Sequence, residues 1–190
     1  MAVNHGVRGS SPLRDAFCKM KNEITSTPYI EVKNSEIHHK GIFAKTDIPK
    51  KTKIIEYLGK IVSKTGSNKI ADKTAEEAEK NSEKGSVYIF NLNKKQDIDG
   101  NVEWNTARLI NHSCNPNCET EGDDEEIWIT SIKDIKKGEE ITYNYGYNLP
   151  EYEDHKCKCN SKNCVGYIIN EEIWPKLFKK LKKKSRLKLK

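Results

Sequence analysis

Residues 108–118 read RLINHSCNPNC, a short polar run that holds two of the chain's six cysteines beside Asn111, His112 and Asn115. Cys114 and Cys118 stand four apart, a spacing that would put both thiols on one face of a helix. Pro116 lies between them and breaks that helix. The run is therefore loop or short extended backbone carrying a dense set of chemically active side chains.

On both sides the chain has the texture of short strands. PYIEV, IIEYL, VYIFNL, IWITSI and EEITYNY are apolar or alternating runs of a few residues, each bounded by Gly, Pro, Asn, Asp or Lys, and such runs predict strands. Many short strands with little helix predict a small, mainly β fold of irregular sheets. Between two of these runs, residues 66–86 (GSNKIADKTAEEAEKNSEKGS) are polar with a helix-favouring centre at AEEAEK, which predicts a surface insertion. Residues 1–27 show no sustained period and read as a peripheral segment of uncertain order. Near the end, Ile173, Trp174, Leu177, Phe178 and Leu181 fall at helical spacing against lysines, which predicts a closing helix docked through that apolar face.

Hydrophobic residues make up 35% of the 190 and charged residues 33%. That thin apolar supply predicts one modest core assisted by a metal, a ligand or both. The first residues lack the apolar run of a secretory signal, and no stretch is long and apolar enough to span a bilayer. The expectation is a soluble protein of a reducing compartment. Charge is unevenly spread, because residues 175–190 hold eight lysines and Arg186 and no acid. That tail carries +9 of a net +6, leaving the remainder at −3. A basic arm is drawn to phosphates or acidic surfaces, whereas an acidic body suits a basic peptide.

Residues 157–164, CKCNSKNC, follow the pattern C-x-C-x4-C. Three thiols this close suit a tetrahedral zinc that needs one more ligand, with His155, Cys114, Cys118 and Cys18 as candidates for the fourth. Free thiols on a polar loop would be prone to oxidation.

RLINHSCNPNC, followed by EEITYNYGY and then CKCNSKNC, resembles the motif series of SET-domain protein lysine methyltransferases with a zinc-binding post-SET segment. Upstream, SEIHHKGIFAKTDIPKKTKIIEYLGKIV and GSVYIFNL are similar to the earlier parts of that domain. The resemblance runs over about 29–169 in the same order. It implies a SET domain at 28–148 with residues 66–86 on the substrate side and a post-SET zinc segment at 149–170; residues 171–190 are read, from their charge and helical spacing, as a basic tail. The implied fold is a set of small curled β-sheets with a C-terminal pseudoknot, an exception to the rule against threaded chains. S-adenosyl-L-methionine would bind on one face and the target lysine would enter from the other.

The resemblance also assigns residues. Tyr145 matches the tyrosine whose hydroxyl faces the transferring methyl. Tyr143 matches a position that carries Phe or Tyr, where Tyr is associated with a smaller product, so mono- or dimethylation is expected. Tyr147 would line the channel mouth and Tyr88 would be a further active-site tyrosine, while Tyr57 is expected to be structural. Asn111 and His112 match residues that contact the cofactor, Lys40 and Gly41 would offer main-chain contacts, and Tyr167 would pack near the adenine or in the core. Arg108 is expected to brace the fold. HHKGIFA keeps Gly41 but places His39 where the family usually has glycine, which puts the local backbone shape in question. Asn144 stands where Asp is commoner. Cys114 matches the fourth zinc ligand beside Cys157, Cys159 and Cys164, which leaves Cys118 as a packing thiol.

Transfer of a methyl from a sulfonium to an amine is an in-line displacement, and alignment alone supplies about 7–11 kcal/mol in favourable cases. A lysine with an ordinary pKa of about 10.4 must also be presented uncharged, which burial in an aromatic channel favours. The expected partners are a lysine-bearing protein, with a basic histone tail suited to the acidic stretch EGDDEE at 121–126, and nucleosomal DNA through the tail. The expected place is the nucleus or chromatin of a eukaryotic cell, as a resident protein or a secreted bacterial effector, with the cytoplasm as the other compartment. The reading from a different class is a catalytically silent SET-like module that binds chromatin or nucleic acid.

Overall fold

In the computed structural model, residues 24–80, 87–150 and 152–187 are described. Cys18, and with it one candidate ligand, lies outside them. Ten strands and two helices follow in the order β1 (Ile30–Asn34), β2 (Lys40–Ala44), β3 (Lys53–Glu56), β4 (Lys60–Ser63), α1 (Lys64–Lys80), β5 (Ile89–Asn91), β6 (Gln96–Asp99), β7 (Asn111–His112), β8 (Cys118–Gly122), β9 (Ile127–Ser131), β10 (Glu140–Tyr143) and α2 (Trp174–Leu187). The fold is mainly β, as the strand-sized runs predict. No helix among the described residues is long and apolar enough to cross a membrane.

Three small sheets share the work, ordered β1-β2-β10-β7, β3-β9-β8 and β4-β6-β5. The first decides where the chemistry sits. β1 and β2 form an antiparallel hairpin, and β10 pairs antiparallel with β2 on one side and parallel with β7 on the other. A segment near residue 140 is thus wedged between residues 42–43 and 111–112, far apart in sequence. β7 is only two residues long, so no local periodicity announces it. The sheets enclose an isoleucine-rich core in which Ile42, Ile98, Ile129, Ile135 and Ile141 are fully buried.

α1 begins before the AEEAEK centre that favours helix. Asp97 on β6 is 6% exposed, and a buried carboxylate needs a cation or donors. Lys64 supplies an ion pair and Ser67 Oγ donates at 2.5 Å, so the first turn of α1 is pinned to β6.

A second, smaller core lies near the C-terminus. Tyr152, Ile169 and Leu177 are fully buried there, with Val165, Tyr167, Ile173, Trp174 and Leu181 packed around them. α2 therefore docks onto the segment that carries CKCNSKNC. Phe178 corrects the expectation for this helix, because it is 52% exposed. One residue past inward-facing Leu177, it is turned about 100° around the axis and leaves the docked face.

Candidate functional site

The strand β10 and the residues after it deliver a run of tyrosines into one place. Tyr143 is 7% exposed. Ring centroids follow one another from Tyr57 to Phe90 at 4.3 Å, Phe90 to Tyr143 at 5.7 Å, Tyr143 to Tyr145 at 5.0 Å and Tyr145 to Tyr147 at 6.0 Å. The Tyr145 hydroxyl donates to the carbonyl of Ile110 at 2.8 Å. Tyr57 donates to the carbonyl of Tyr88 at 3.1 Å, and the Arg108 guanidinium lies 6.0 Å from the Tyr88 ring. Burial first, and then the neighbouring phenols, push the hydroxyls of Tyr57, Tyr143 and Tyr145 well above the ordinary phenol range. The cluster is a set of protonated hydroxyls in an aromatic, water-poor surround. Such a lining can hold a neutral amine by hydrogen bonds and disfavours its charged form.

Asn111 and His112 sit directly beside this cluster, since Tyr143 pairs with His112 across the parallel β7–β10 ladder. The Asn111 amide donates to the carbonyl of Lys40 at 3.1 Å and to Glu140 Oε1 at 2.8 Å. His112 is 2% exposed, accepts the Tyr145 N–H on Nδ1 at 3.2 Å and faces Cys114 Sγ with Nε2 at 3.6 Å. Both side chains are committed within the protein.

Glu140, Ser35 and Asn117 belong to the same constellation, and sequence reasoning passed over all three. Ser35 Oγ donates to Glu140 Oε1 at 2.7 Å. Asn117 clamps β10 from the other side, donating to the Glu140 carbonyl and accepting from Thr142 N–H, each at 2.8 Å. Gly41 is required by this packing, because a Cβ there would stand 2.3 Å from Glu140 Oε1. His39 takes a φ of +39°, in the left-handed region that glycine enters freely. The turn is closed by Ser35 N–H donating to the His39 carbonyl at 2.9 Å.

Cys114, Cys157, Cys159 and Cys164 converge, with all four Sγ atoms within 4.8 Å of one another. Cys114 Sγ is 3.8 Å from Cys157 Sγ and 3.9 Å from Cys164 Sγ. A tetrahedral zinc with Zn–S of about 2.3 Å has S···S edges of about 3.8 Å, so the donor set fits that ion. Backbone N–H groups of Cys114, Cys159 and Gly166 point at Cys159, Cys157 and Cys164 Sγ, each at 3.4 Å, and favour thiolate. Hydrogen bonds from Cys157 and His112 hold the Cys114 thiol well below its usual range. Cys118 stays apart from the cluster, 1% exposed in the β-sheet core.

Tyr167 stacks edge-on against Tyr152 at 4.8 Å in the second core and sends its carbonyl to 3.8 Å from Cys114 Sγ. The exposed Lys40 side chain bonds Asn34 at 2.7 Å, and its carbonyl faces Asn111. A groove of about 380 Å³ adjoins this corner, lined by Asn34, Glu36, Ile37, Phe43, Glu140, Cys159 and Asn160. It lies between the β1–β2 turn and the cysteine loop, and its size falls in the usual range for a small-molecule site. A larger cavity of about 690 Å³ is lined by Lys50, Lys51, Lys53, Glu119, Glu121, Thr130, Ser131 and Ile132, and contains none of these tyrosines or cysteines.

Residues 39–146 match the family model for the SET domain. Among known proteins, the chain is 38% identical over 154 residues to histone-lysine N-methyltransferase trr of Drosophila melanogaster. It is 36% identical over 144 residues to the variant-silencing SET domain-containing protein of Plasmodium falciparum. It is also 37% identical over 165 residues to histone-lysine N-methyltransferase set1 of Dictyostelium discoideum. These alignments cover 78%, 74% and 82% of this chain but only 6%, 6% and 10% of the respective relatives.

Proposed function

Because the chain belongs to the SET-domain family, we propose that it transfers a methyl group from S-adenosyl-L-methionine to the side-chain amine of a protein lysine. The observation that carries this reading is the Tyr145 hydroxyl, bonded to the Ile110 carbonyl at 2.8 Å inside a cluster of buried phenols. With its hydrogen donated to the Ile110 carbonyl, the Tyr145 oxygen is left as an acceptor for an amine N–H, which leaves the amine lone pair free to face the methyl donor. Burial of the amine among Tyr57, Tyr88, Tyr143, Tyr145 and Tyr147 favours its neutral form, so proton loss to solvent precedes transfer and no carboxylate base is needed. Tyr147 occupies the end of the ring series that leads out towards His155.

The cofactor supplies the electrophilic methyl when bound. For its seat we assign the corner around Glu140, where the groove meets the backbone of Lys40, Gly41, Asn111 and His112; these four stand outside the groove's own lining, joined to it through the Asn111–Glu140 and Asn111–Lys40 hydrogen bonds. Tyr167, packed on Tyr152, supports the cysteine loop at that groove. Cys114, Cys157, Cys159 and Cys164 would hold one structural zinc, which cross-links the post-SET loop to the turn after β7.

We assign mono- or dimethylation to Tyr143, whose buried hydroxyl takes room a more methylated amine needs. A histone is the proposed substrate, consistent with the names of the Drosophila and Dictyostelium relatives, and chromatin in the nucleus the proposed place. The lysines of α2 are proposed to touch nucleosomal DNA. The test is incubation with labelled cofactor and histones or nucleosomes, read by mass spectrometry of lysines. Transfer is expected, and is expected to collapse in Tyr145→Phe with the fold intact; full activity in that variant would remove Tyr145 from the role.

A further inference from the structure

The two ring nitrogens of His112 face two different parts of the site. Nδ1 accepts the backbone N–H of Tyr145 at 3.2 Å. A nitrogen that accepts carries no proton, so in the neutral imidazole the hydrogen sits on Nε2. Nε2 lies 3.6 Å from Cys114 Sγ, within reach of an N–H···S hydrogen bond. The ring is 2% exposed and has little freedom to turn. Its backbone is fixed as well, since Tyr143 pairs with His112 and Ser113 N–H donates to the Tyr143 carbonyl at 3.2 Å.

We propose that His112 is a positioning residue that joins the zinc site to Tyr145, donating from Nε2 to the Cys114 thiolate and accepting the Tyr145 amide on Nδ1. The inference rests on the assignment of zinc to the four cysteines. A metal-bound thiolate is a charged, fixed acceptor, and it reinforces the tautomer that the Tyr145 N–H sets on the other nitrogen. Partners of metal ligands commonly orient the ligand in this way. Here the arrangement also runs outward. With the thiolate in place, the turn Asn144–Gly146 is held at the height where the Tyr145 hydroxyl meets the Ile110 carbonyl. Loss of the metal would free the thiol and remove the fixed acceptor on Nε2, leaving the Tyr145 N–H as the ring's one hydrogen-bonded anchor and loosening the tyrosine.

The zinc-loaded full chain, labelled with nitrogen-15 in its histidines, tests the tautomer directly by long-range proton–nitrogen correlation. His112 is expected to be protonated on Nε2 and bare on Nδ1. In parallel, His112→Phe, which keeps a ring and loses both functions, is expected to release zinc to a coloured chelator about 10- to 100-fold faster. It is also expected to lower kcat while the KM for the methyl donor holds. His112→Gln, whose amide can reach the sulfur, is expected to restore zinc retention without restoring kcat. A ring protonated on Nδ1, or a Phe variant that keeps zinc as the unaltered chain does, overturns the proposal whether or not methyl transfer is seen. A chain that binds no zinc overturns the metal assignment and this bridge together. Absent methyl transfer, with the tautomer and release results as expected, counts against the reaction alone.

Discussion

Glu140 Oε1 accepts the Asn111 amide at 2.8 Å while it fills the space that a Cβ on Gly41 would claim. One carboxylate thus gathers the β1–β2 turn, β7 and β10 around the groove assigned to the methyl donor. Removing it in Glu140→Ala takes the side-chain acceptor from the Ser35 hydroxyl and one acceptor from the Asn111 amide, which keeps its bond to the Lys40 carbonyl. Hydrogen bonds to charged groups are each worth about 1.5–3 kcal/mol, and a loss of that order is expected in urea unfolding, with weaker cofactor binding by calorimetry. Gly41→Ala should move both measurements the same way. An unchanged midpoint and affinity in both variants would leave Glu140 a bystander.

Tyr143 is buried in the middle of the ring series, between Phe90 and Tyr145 at 5.7 and 5.0 Å. Tyr143→Phe deletes one hydroxyl and keeps the packing, so stability should change little. The product distribution on a histone peptide should shift towards higher methylation by mass spectrometry. The same distribution as the unaltered chain would detach product preference from this residue.

The two cysteines of RLINHSCNPNC should behave differently. Cys114→Ser removes one of four converging sulfurs and should abolish zinc binding in metal analysis. Cys118 lies in the β-sheet core apart from the four converging sulfurs, too far from them to share an ion. Cys118→Ser should retain zinc, and loss of metal in that variant would reverse the assignment.

Tyr57, Tyr143 and Tyr145 have folded pKa values above the ordinary value of about 10. The sign follows from linkage. Their protonated forms stabilise the fold fully below about pH 10, and that contribution is lost as pH rises further, because the unfolded phenols ionise first. Ultraviolet titration should show these three of the eight tyrosines ionising only as the chain unfolds. Reversible ionisation of all eight near pH 10, with the near-ultraviolet dichroism of the folded state intact, would contradict their burial.

Two faces of α2 should separate by mutation. Leu177 is fully buried against Tyr152 and Ile169, and Leu177→Ala should cost about 2–5 kcal/mol of local stability. Lys179 and Lys183 are exposed, and alanine at both should weaken nucleosome binding and flatten its salt dependence, while activity on a short peptide persists. Nucleosome binding unaffected by the double change would take DNA contact away from this helix.

Local signals alone identify much of this protein. Apolar runs bounded by turn residues locate strands within β1, β3, β5, β9 and β10, and helical spacing locates α2. C-x-C-x4-C marks a cysteine loop suited to holding a metal, and the order of RLINHSC, TYNYGY and CKCNSKNC carries the family. What tertiary structure decided lies between segments distant in the chain. β7 exists only because β10 lies beside it, Gly41 is needed only because Glu140 arrives from residue 140, and α1 starts early only because Asp97 awaits Lys64 and Ser67. Cys114 was one of four candidates by spacing and becomes the fourth sulfur of a tetrahedron by convergence. Periodicity and turn chemistry act over a few residues, whereas a buried carboxylate, thiol or imidazole is satisfied by whatever the fold brings within about 3–4 Å.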